Sequence, residues 1–382
     1  MATGMISGAR DTEDVLAVNK KVDMGPVHML EDDRLMLTRL LSKLGKRDVF
    51  NRTFKWMTDE IRPKFDQLAE ALDSSETDVQ VDNGEYFNVN DLVKVVETGE
   101  IIRVTAVTPG SPDALTVVRG VGSTAGTAAA DDGQLLIIGN QYAEGATLEA
   151  ALTTLEVEKT AYTQIMRDAY HVTGTENAMG KAGGLFTGDE INKQRAKKLL
   201  EHERNKNLTA YWGESQYTTA TRRGMAGGIN AYIPSANRDG VATLTEAEWN
   251  DGLKNAFRYG AGKKVVLCSR SVAGIINDYM ANLQRVSPGD SKFGVKMVDY
   301  ISPHGDVSIV TDHALEGTEY DKYAFVLDIA DCKYVALKGR DTQLLLDRQA
   351  TDEDGVKEEY LTEFGFEWGH PQRHYVFTSV TG

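Results

Sequence analysis

The chain has 382 residues, a mass of 42.0 kDa and a formal net charge of −15, from 42 basic and 57 acidic residues. This length allows two or three domains with buried cores. The acidic balance disfavours a nucleic-acid reader, because such proteins need basic residues to displace counterions from phosphate. The two cysteines, Cys268 and Cys332, exclude a disulfide framework and a Cys-rich zinc module.

The sequence contains no segment that approaches 18 consecutive apolar residues, so we expect no transmembrane helix. Residues 1–11 lack the apolar stretch of a secretory signal. We therefore expect a protein that is made and kept in a reducing cytoplasm.

The N-terminal region is predicted to be an extended arm with one short helix. Residues 1–29 are polar and mixed, and they show no apolar stripe. Residues 30–45 carry leucines at the i, i+3, i+4, i+7 spacing of a helix, namely Leu37, Leu40, Leu41 and Leu44. An arm with so little core of its own needs a partner surface.

Residues 79–139 carry short strand-like runs separated by turn-forming residues. The runs cover 79–81, 92–96, 100–107, 115–119 and 135–138. Sequences such as Asp82-Asn83-Gly84 and Asp131-Asp132-Gly133 fall between them. Short strands with turns about every ten residues predict a small antiparallel sheet or barrel, inserted between helical segments.

The longest predicted helix covers residues 188–214. Its charged residues surround most of the circumference, so it is expected to lie across a surface rather than inside a core. Helices and strands then alternate, including a capping box at Thr245 to Glu248 and a mostly buried strand over 263–269. Acidic and aromatic residues alternate over 359–368, which predicts a long half-buried strand. The fold class is α+β, with no βαβ series.

Two loops match chemical motifs only loosely. Gly120 to Ala125 fits the GxGxxA dinucleotide fingerprint, but a strand-like run follows where the fingerprint requires a helix. We interpret it as a flexible loop between strands. Asp352 to Gly355 does not supply the ligand positions of a calcium loop, and we interpret it as an acidic hairpin tip.

Histidine and cysteine also have simple interpretations here. His370 and His374 have the i, i+4 spacing of two metal ligands on a helix, but Pro371 and the surrounding strand pattern disfavour a helix. Cys268 lies inside an apolar strand and is interpreted as a small buried hydrophobe rather than a nucleophile. The sequence therefore predicts no catalytic, cofactor-binding or metal-binding residues.

An ordered series of short sequences runs along nearly the whole chain. The series is Asn51-Arg52-Thr53-Phe54-Lys55-Trp56-Met57-Thr58-Asp59-Glu60-Ile61, Thr98-Gly99-Glu100-Ile101-Ile102-Arg103-Val104, Leu115-Thr116-Val117-Val118-Arg119-Gly120, Asp132-Gly133, Ile137-Ile138-Gly139-Asn140, Tyr162-Thr163-Gln164-Ile165, Val172-Thr173-Gly174-Thr175 and Arg223-Gly224-Met225-Ala226-Gly227-Gly228-Ile229. In this order it resembles the major capsid proteins of tailed phages with the Hong Kong 97-type fold. The resemblance is to the group with a β-module inserted in the extended loop.

This resemblance implies a division of the chain into named parts. They are an N-terminal arm over 1–52, an extended loop with the small antiparallel β-module over 53–145, a peripheral domain over 146–229 with its spine helix at about 188–214, an axial domain over 230–332, and return strands of the peripheral domain over 333–382. The arm and the loop are expected to lack cores of their own and to gain order from neighbouring subunits.

The resemblance also implies a structural, non-enzymatic function. Such a subunit self-assembles into hexamers and pentamers of an icosahedral phage head that encloses double-stranded DNA. Its implied partners are other copies of the chain, with portal, scaffold and decoration proteins as further candidates, and it contacts packaged DNA weakly and without sequence preference. No cofactor and no membrane are implied. The location is the virion capsid, after synthesis and assembly in the host cytoplasm.

Two features of related capsids are not found in the sequence. No fused coiled-coil scaffolding domain is visible, which implies a separate scaffold or none. Some capsids of this kind carry Lys–Asn cross-links between subunits; Lys55, Lys64 and Lys94 lie in the loop region, but no residue matches that chemistry. Assembly is therefore expected to be noncovalent.

The alternative interpretation is a soluble α+β enzyme or binding protein with a β-barrel accessory domain. An enzyme would need a convergent set of polar residues, and the sequence offers none. A fibre or carbohydrate-binding protein would show repeats or exposed aromatic platforms, and neither is visible in the sequence.

Overall fold

The computed structural model describes residues 35–147, 152–178, 190–240, 243–281, 286–287, 298–317 and 319–378. The arm predicted over 1–29 lies outside these residues. The chain divides into two units, one made of Met1–Trp56 with Lys159–Gly382 and the other of Met57–Glu158. We call them the body and the inserted unit.

The helices and strands of the described ranges are numbered here in chain order. The helices are α1 Met36–Leu44, α2 Gly174–Ala178, α3 Glu190–Trp212, α4 Ile229–Tyr232, α5 Glu246–Ala256 and α6 Arg270–Ala281. The strands are β1 Lys46–Val49, β2 Thr53–Thr58, β3 Phe65–Gln67, β4 Asp78–Val81, β5 Asp91–Val95, β6 Ile101–Thr108, β7 Asp113–Val118, β8 Gln134–Asn140, β9 Val157–Tyr162, β10 Gln164–Thr173, β11 Gln216–Thr218, β12 Arg223–Met225, β13 Arg238–Gly240, β14 Lys263–Cys268, β15 Val286–Ser287, β16 Val298–Ser302, β17 Gly305–Thr311, β18 Ala324–Leu327, β19 Lys333–Leu337, β20 Gln343–Leu345, β21 Gly355–Glu367 and β22 Tyr375–Thr378.

The body contains two larger sheets in its described part. One runs in the order β1-β19-β21-β10, with β20 also paired to β21. The other runs in the order β13-β22-β18-β14-β17-β16-β15. In the second sheet, β14 and β17 are parallel with α6 between them in the chain, and β13 and β22 are also parallel, so the sheet is mixed.

One apolar core joins the two sheets of the body. It combines side chains from α1, α3 and α4 with the inner faces of both sheets, including Leu37, Tyr211, Leu267, Phe364 and Trp368. A second core packs α5 and α6 on the other face of the seven-stranded sheet, around Trp249 and Phe377. The capping box predicted at Thr245 and Glu248 is present at the start of α5.

The inserted unit is a closed antiparallel barrel. Its strands follow the order β3-β8-β5-β6-β7-β4. The two ends of this order also meet, because Leu68, the residue after β3, bridges Val81 of β4, and the Ala69 N–H donates to the Gln80 carbonyl at 3.0 Å. Closure removes the exposed sheet edges. The barrel interior is filled by buried side chains, which are Leu68, Leu72, Val79, Val81, Phe87, Val93, Val95, Ile102, Val104, Leu115, Val117, Ala129 and Leu135.

This interior core corrects the expectation that the extended loop lacks a core. A closed barrel gives every strand an inward face, so alternate residues can be buried without help from a neighbouring subunit. The strands predicted over 79–139 are all present, and so are the short helix before Gly45 and the long helix over Glu190–Trp212.

One further expectation differs from the structure. The strand β21 is not half-buried, because residues 358–367 are buried on both faces. The last strand, β22, pairs with β18 and β13 in the seven-stranded sheet. The crossing between sheets occurs at residues 368–374, where Pro371 begins a short turn.

Candidate assembly surfaces

The strand β2 begins in the body, where two of its aromatic side chains are packed. Phe54 packs against Gly365, where an added Cβ would lie 2.7 Å from the ring. The Trp56 Nε1–H donates to the Gly369 carbonyl at 2.9 Å, and its ring lies 5.7 Å from that of Tyr232. These contacts hold the first half of β2 within the body.

One face of β21 carries three buried glutamates beneath a layer of cationic side chains. Alternation along the strand places Glu359, Glu363 and Glu367 on the same face. The ion pairs are Arg167 and Arg348 with Glu359, Arg340 with Glu363, and Arg47 and Lys333 with Glu367, at N···O distances of 2.6, 3.1, 2.7, 2.6 and 3.3 Å. We call these five cations the arginine face.

The arginine face is exposed, whereas its acids are not. The five cationic side chains are 40–58% exposed, and the three carboxylate side chains are at most 8% exposed. Burial raises the pKa of Glu359, but Arg167 and Arg348 lower it by more than burial raises it. The pKa of Glu359 therefore lies below its ordinary value. Five cations over three acids leave an excess of positive charge on this side of the sheet.

A cavity of about 600 Å³ opens beside the arginine face. Apolar and polar side chains share its lining, which includes Phe50, Ile165, Leu337, Arg52, Tyr217, Arg340 and Glu363. Phe50 is 81% exposed and Ile165 is 49% exposed. The Arg52 guanidinium donates to the Tyr217 hydroxyl at 2.7 Å. The cavity therefore combines exposed apolar surface with a cationic rim.

A buried carboxylate holds the first helix of the body. Asp312 is fully buried and accepts the backbone N–H groups of Met36 and Leu37, each at 3.1 Å. It also accepts from Asn207 and from the Tyr211 hydroxyl, at 3.0 and 2.9 Å. Burial, reinforced by the Asp312 charge, raises the pKa of Tyr211 well above its usual range. Asp312 thus caps α1 from a distant part of the chain.

The net charge of the chain lies almost entirely in the inserted unit. Residues 57–158 contain 19 acidic and five basic residues, a net charge of −14, whereas the remaining residues contain 38 acidic and 37 basic residues. A charge count by segment would have found this asymmetry from sequence. The contribution of Asp312 could not be found in that way, because its partners in α1 and α3 are more than 100 residues away.

The structure also places the residues considered for chemistry. Cys268 is buried in β14, where burial raises its pKa to about 12, in agreement with its interpretation as a buried hydrophobe. His374 is buried and pairs through Nε2 with the Trp368 carbonyl at 2.6 Å, while His370 caps the short turn that begins at Pro371. Within the described ranges, no group of three or more His, Cys, Asp or Glu residues is placed to hold a metal ion.

The glycine-rich loop is anchored at the barrel. A strand follows the loop, as expected, and the loop itself forms only a short 3-10 turn at Val121–Ser123, with no α-helix after it. Glu100 is 1% exposed, accepts the Gly120 and Thr127 N–H groups, and receives two bonds of 2.7 Å from Arg119. Burial raises the pKa of Glu100, but the hydrogen bonds from Arg119 and from the loop N–H groups lower it. The pKa of Glu100 therefore lies below its ordinary value. The loop thus has backbone contacts to a buried ion pair.

The remaining candidates lie at the surface. Asp352 to Gly355 connect the region after β20 to the start of β21, at the position expected for an acidic tip. Lys55, Lys64 and Lys94 are all exposed. No helix in the described part of the chain is long and apolar enough to cross a membrane.

Comparisons with known proteins complete this description. The family model for the SU10 major capsid protein matches residues 34–381. No curated protein sequence matches the chain. The capsid protein of cyanophage A-1(L) has 12% sequence identity and a TM-score of 0.54, with 97% of this chain and 99% of that chain covered. The capsid protein of a native GTA particle has 9% identity and a TM-score of 0.51, covering 97% and 98%. The fold is thus that of the Hong Kong 97-type capsids.

Proposed function

Because the chain belongs to the SU10 major capsid protein family, we propose that it assembles into hexamers and pentamers that form an icosahedral phage head around double-stranded DNA. The family match over residues 34–381 carries this conclusion, since it covers both the body and the inserted unit. The chain is a structural major capsid protein, and its location is the virion capsid.

The named parts of the capsid fold can be assigned to the observed elements. We assign the five-stranded sheet and α3 to the peripheral domain, with α3 as its spine helix. The seven-stranded sheet with α5 and α6 is assigned to the axial domain, which includes β22. The ribbon of β2 and β9 and the barrel together form the extended loop with its β-module. These assignments are supported by the order of the elements and by the way α3 packs on β10 and β21.

Several finer statements belong to the same proposal. The subunit has no enzymatic activity and acts through its contacts with other copies. Portal, scaffold and decoration proteins are its further partners, and packaged DNA contacts the shell without sequence preference. Synthesis and assembly take place in the host cytoplasm. The uneven charge supports the weak DNA contact, because the −14 of residues 57–158 repels phosphate.

Assembly of the purified protein tests the proposal. The chain is expressed alone, and its mass in solution is measured by light scattering while negative-stain microscopy records the particles. We expect capsomer rings, tubes or closed shells, with a mass many times the 42.0 kDa of one chain. A homogeneous monomer that stays monomeric at high concentration, and on addition of a cognate scaffold, would contradict self-assembly.

A further inference from the structure

The outer surface of the barrel carries a patch of apolar and cationic side chains across five strands. Side chains alternate along a strand, so the residues between the buried ones face outward. Cross-strand pairing sets eight of them in two neighbouring rows, which are Phe65, Leu136, Lys94 and Ile101, and beside them Ile138, Leu92, Arg103 and Val118. We call this patch the outer wall. Phe65, Ile138 and Val118 are 52%, 46% and 42% exposed, and a continuous apolar patch of this kind marks an interaction surface.

Three cations lie on or beside the outer wall, although the inserted unit is strongly acidic. Residues 57–158 contain five basic residues. Two of them form ion pairs inside the unit, Arg62 with Asp91 and Arg119 with Glu100. The other three are Lys64, Lys94 and Arg103. In the described part of the chain none of these three forms an ion pair, and the buried Arg103 Nε–H has no acceptor. The wall therefore has positive charge available for an acidic partner.

Acidic side chains gather at one end of the same barrel. Leu72 bridges Ala129, and the Glu97 carboxylate accepts the Ala130 N–H at 3.3 Å, so three loops meet there. The loops expose six acids, which are Glu70, Asp73, Glu76, Glu97, Asp131 and Asp132. We call these six residues the acidic end. Between the acids, Ala125, Ala128 and Ala130 are also exposed and offer small apolar side chains.

The two surfaces of the barrel complement each other in charge and in polarity. We propose that the outer wall of one copy packs against the acidic end of the inserted unit of a second copy. Apolar contacts between the wall and the alanines give affinity, and the charges select the orientation. Because two different surfaces meet, the contact is head-to-tail, and a head-to-tail contact that repeats with a closing rotation makes a ring. The inference rests on the proposed assembly into capsomers and adds a contact between their inserted units.

Packaged DNA is the other polyanion that could approach the three cations. The acidic end beside them repels phosphate. The apolar side chains of the wall, such as Phe65 and Ile138, gain nothing from a hydrated phosphate backbone. These two features favour the protein partner, and DNA binding is the competing outcome of the test.

Zero-length cross-linking of mixed-isotope particles tests the contact. Subunits labelled with ¹⁴N and with ¹⁵N are mixed, assembled without nucleic acid and treated with a carbodiimide, which joins an amine to a carboxylate in direct contact. We expect Lys64 and Lys94 to be joined to acids of the acidic end in peptides that combine both isotopes. Links within one copy only, links to acids of the body, or no links would overturn the inference.

A variant of the wall tests the energetic part. Phe65→Thr with Ile138→Thr removes two half-exposed apolar side chains and keeps residues that suit a strand, so the subunit still folds. We expect the critical concentration for assembly to rise about tenfold. Ile301→Thr with Leu346→Thr is the matched control, because these side chains of the body are 51% and 52% exposed. The melting temperature of unassembled subunits should be the same for wild type and both variants.

The outcomes separate this inference from the proposed function. If neither the wild type nor any variant assembles, the proposed function fails and the contact fails with it. If the wild type assembles and the two variants have equal critical concentrations, the capsid function stands and the contact is refuted. Protection of Lys64 and Lys94 from acylation only when DNA is present would assign the wall to DNA instead.

Discussion

At the scale of single residues, the protonation of His374 is strongly affected by its surroundings. It is 1% exposed, and its Nδ1 has no hydrogen-bond partner in the structure. Burial lowers its pKa to about 4, against 6.5 for an unperturbed histidine. The side chain is therefore neutral in the folded body, with the Nε2–H donating to the Trp368 carbonyl.

The buried histidine predicts a pH dependence of stability. Between pH 6.5 and pH 4 the unfolded chain binds a proton at this position and the folded chain does not, so stability falls as the pH is lowered through this window. The loss amounts to about 3 kcal/mol. His374→Gln should flatten the pH profile of the melting temperature of unassembled subunits in this range. The exposed His304→Gln should leave the profile unchanged, and equal profiles for both variants would contradict the assignment.

Asp312 gives a second prediction at this scale. Asp312→Asn replaces an acceptor oxygen by an NH₂ group that faces the amide donor of Asn207. We expect the free energy of urea unfolding to fall by about 3 kcal/mol, because the amide keeps only one of the two acceptor oxygens and loses the negative charge that the buried donors of α1, Asn207 and Tyr211 face. Asp306→Asn, at an exposed position of β17, is the control and should change stability by less than about 0.5 kcal/mol. An equal effect of the two substitutions would disprove the capping role.

At the scale of elements, β21 shows what the sequence pattern could and could not predict. The alternation of Glu359 and Glu363 with aromatic residues predicted a strand, and the strand is there. The pattern also predicted a solvated acidic face, which is wrong. The acids are covered by cations such as Arg47, which is 320 residues away in the chain, and a local pattern contains no information about such partners.

The number of cations on each glutamate predicts unequal mutational effects. Glu363 has one arginine partner, Arg340, whereas Glu359 has two. Arg340→Met leaves a buried carboxylate without its cation and should lower the free energy of unfolding by about 2 kcal/mol. This effect is smaller than that of breaking a fully buried ion pair, because the Arg340 side chain is 43% exposed and water screens its charge. Arg348→Met should cost less than about 1 kcal/mol, since Arg167 remains. The reverse order in denaturant titrations would show that the ion pairs do not stabilise this sheet.

At the scale of the whole molecule, the sequence predicted the fold class and the positions of most elements. The strands over 79–139 were visible because each carries its own apolar alternation. The sequence left open whether these strands form a sheet or a barrel, because closure depends on a few pairings such as Leu68 with Val81. The ion pairs of the arginine face and the capping of α1 by Asp312 were missed for the same reason. In both, the residues that pair are far apart in the chain and meet only in the folded body.

The closed barrel predicts that the inserted unit can fold by itself. A fragment of residues 57–158 should unfold in one cooperative thermal transition, since its buried core comes from its own strands. Ile102→Ala, at a fully buried position, should lower its stability by about 2–4 kcal/mol. A fragment without a transition, or one that is insensitive to Ile102→Ala, would restore the view that this region gains its order from neighbouring subunits.

The central claim is that this chain forms the lattice of a phage head. A cryo-electron microscopy reconstruction of the assembled particles tests it most directly. The account predicts a closed icosahedral shell in which rings of six and five copies of this chain, traced through both the body and the inserted unit, make up the whole lattice. Particles whose lattice is built by another chain, or assemblies without sixfold and fivefold rings, would contradict it.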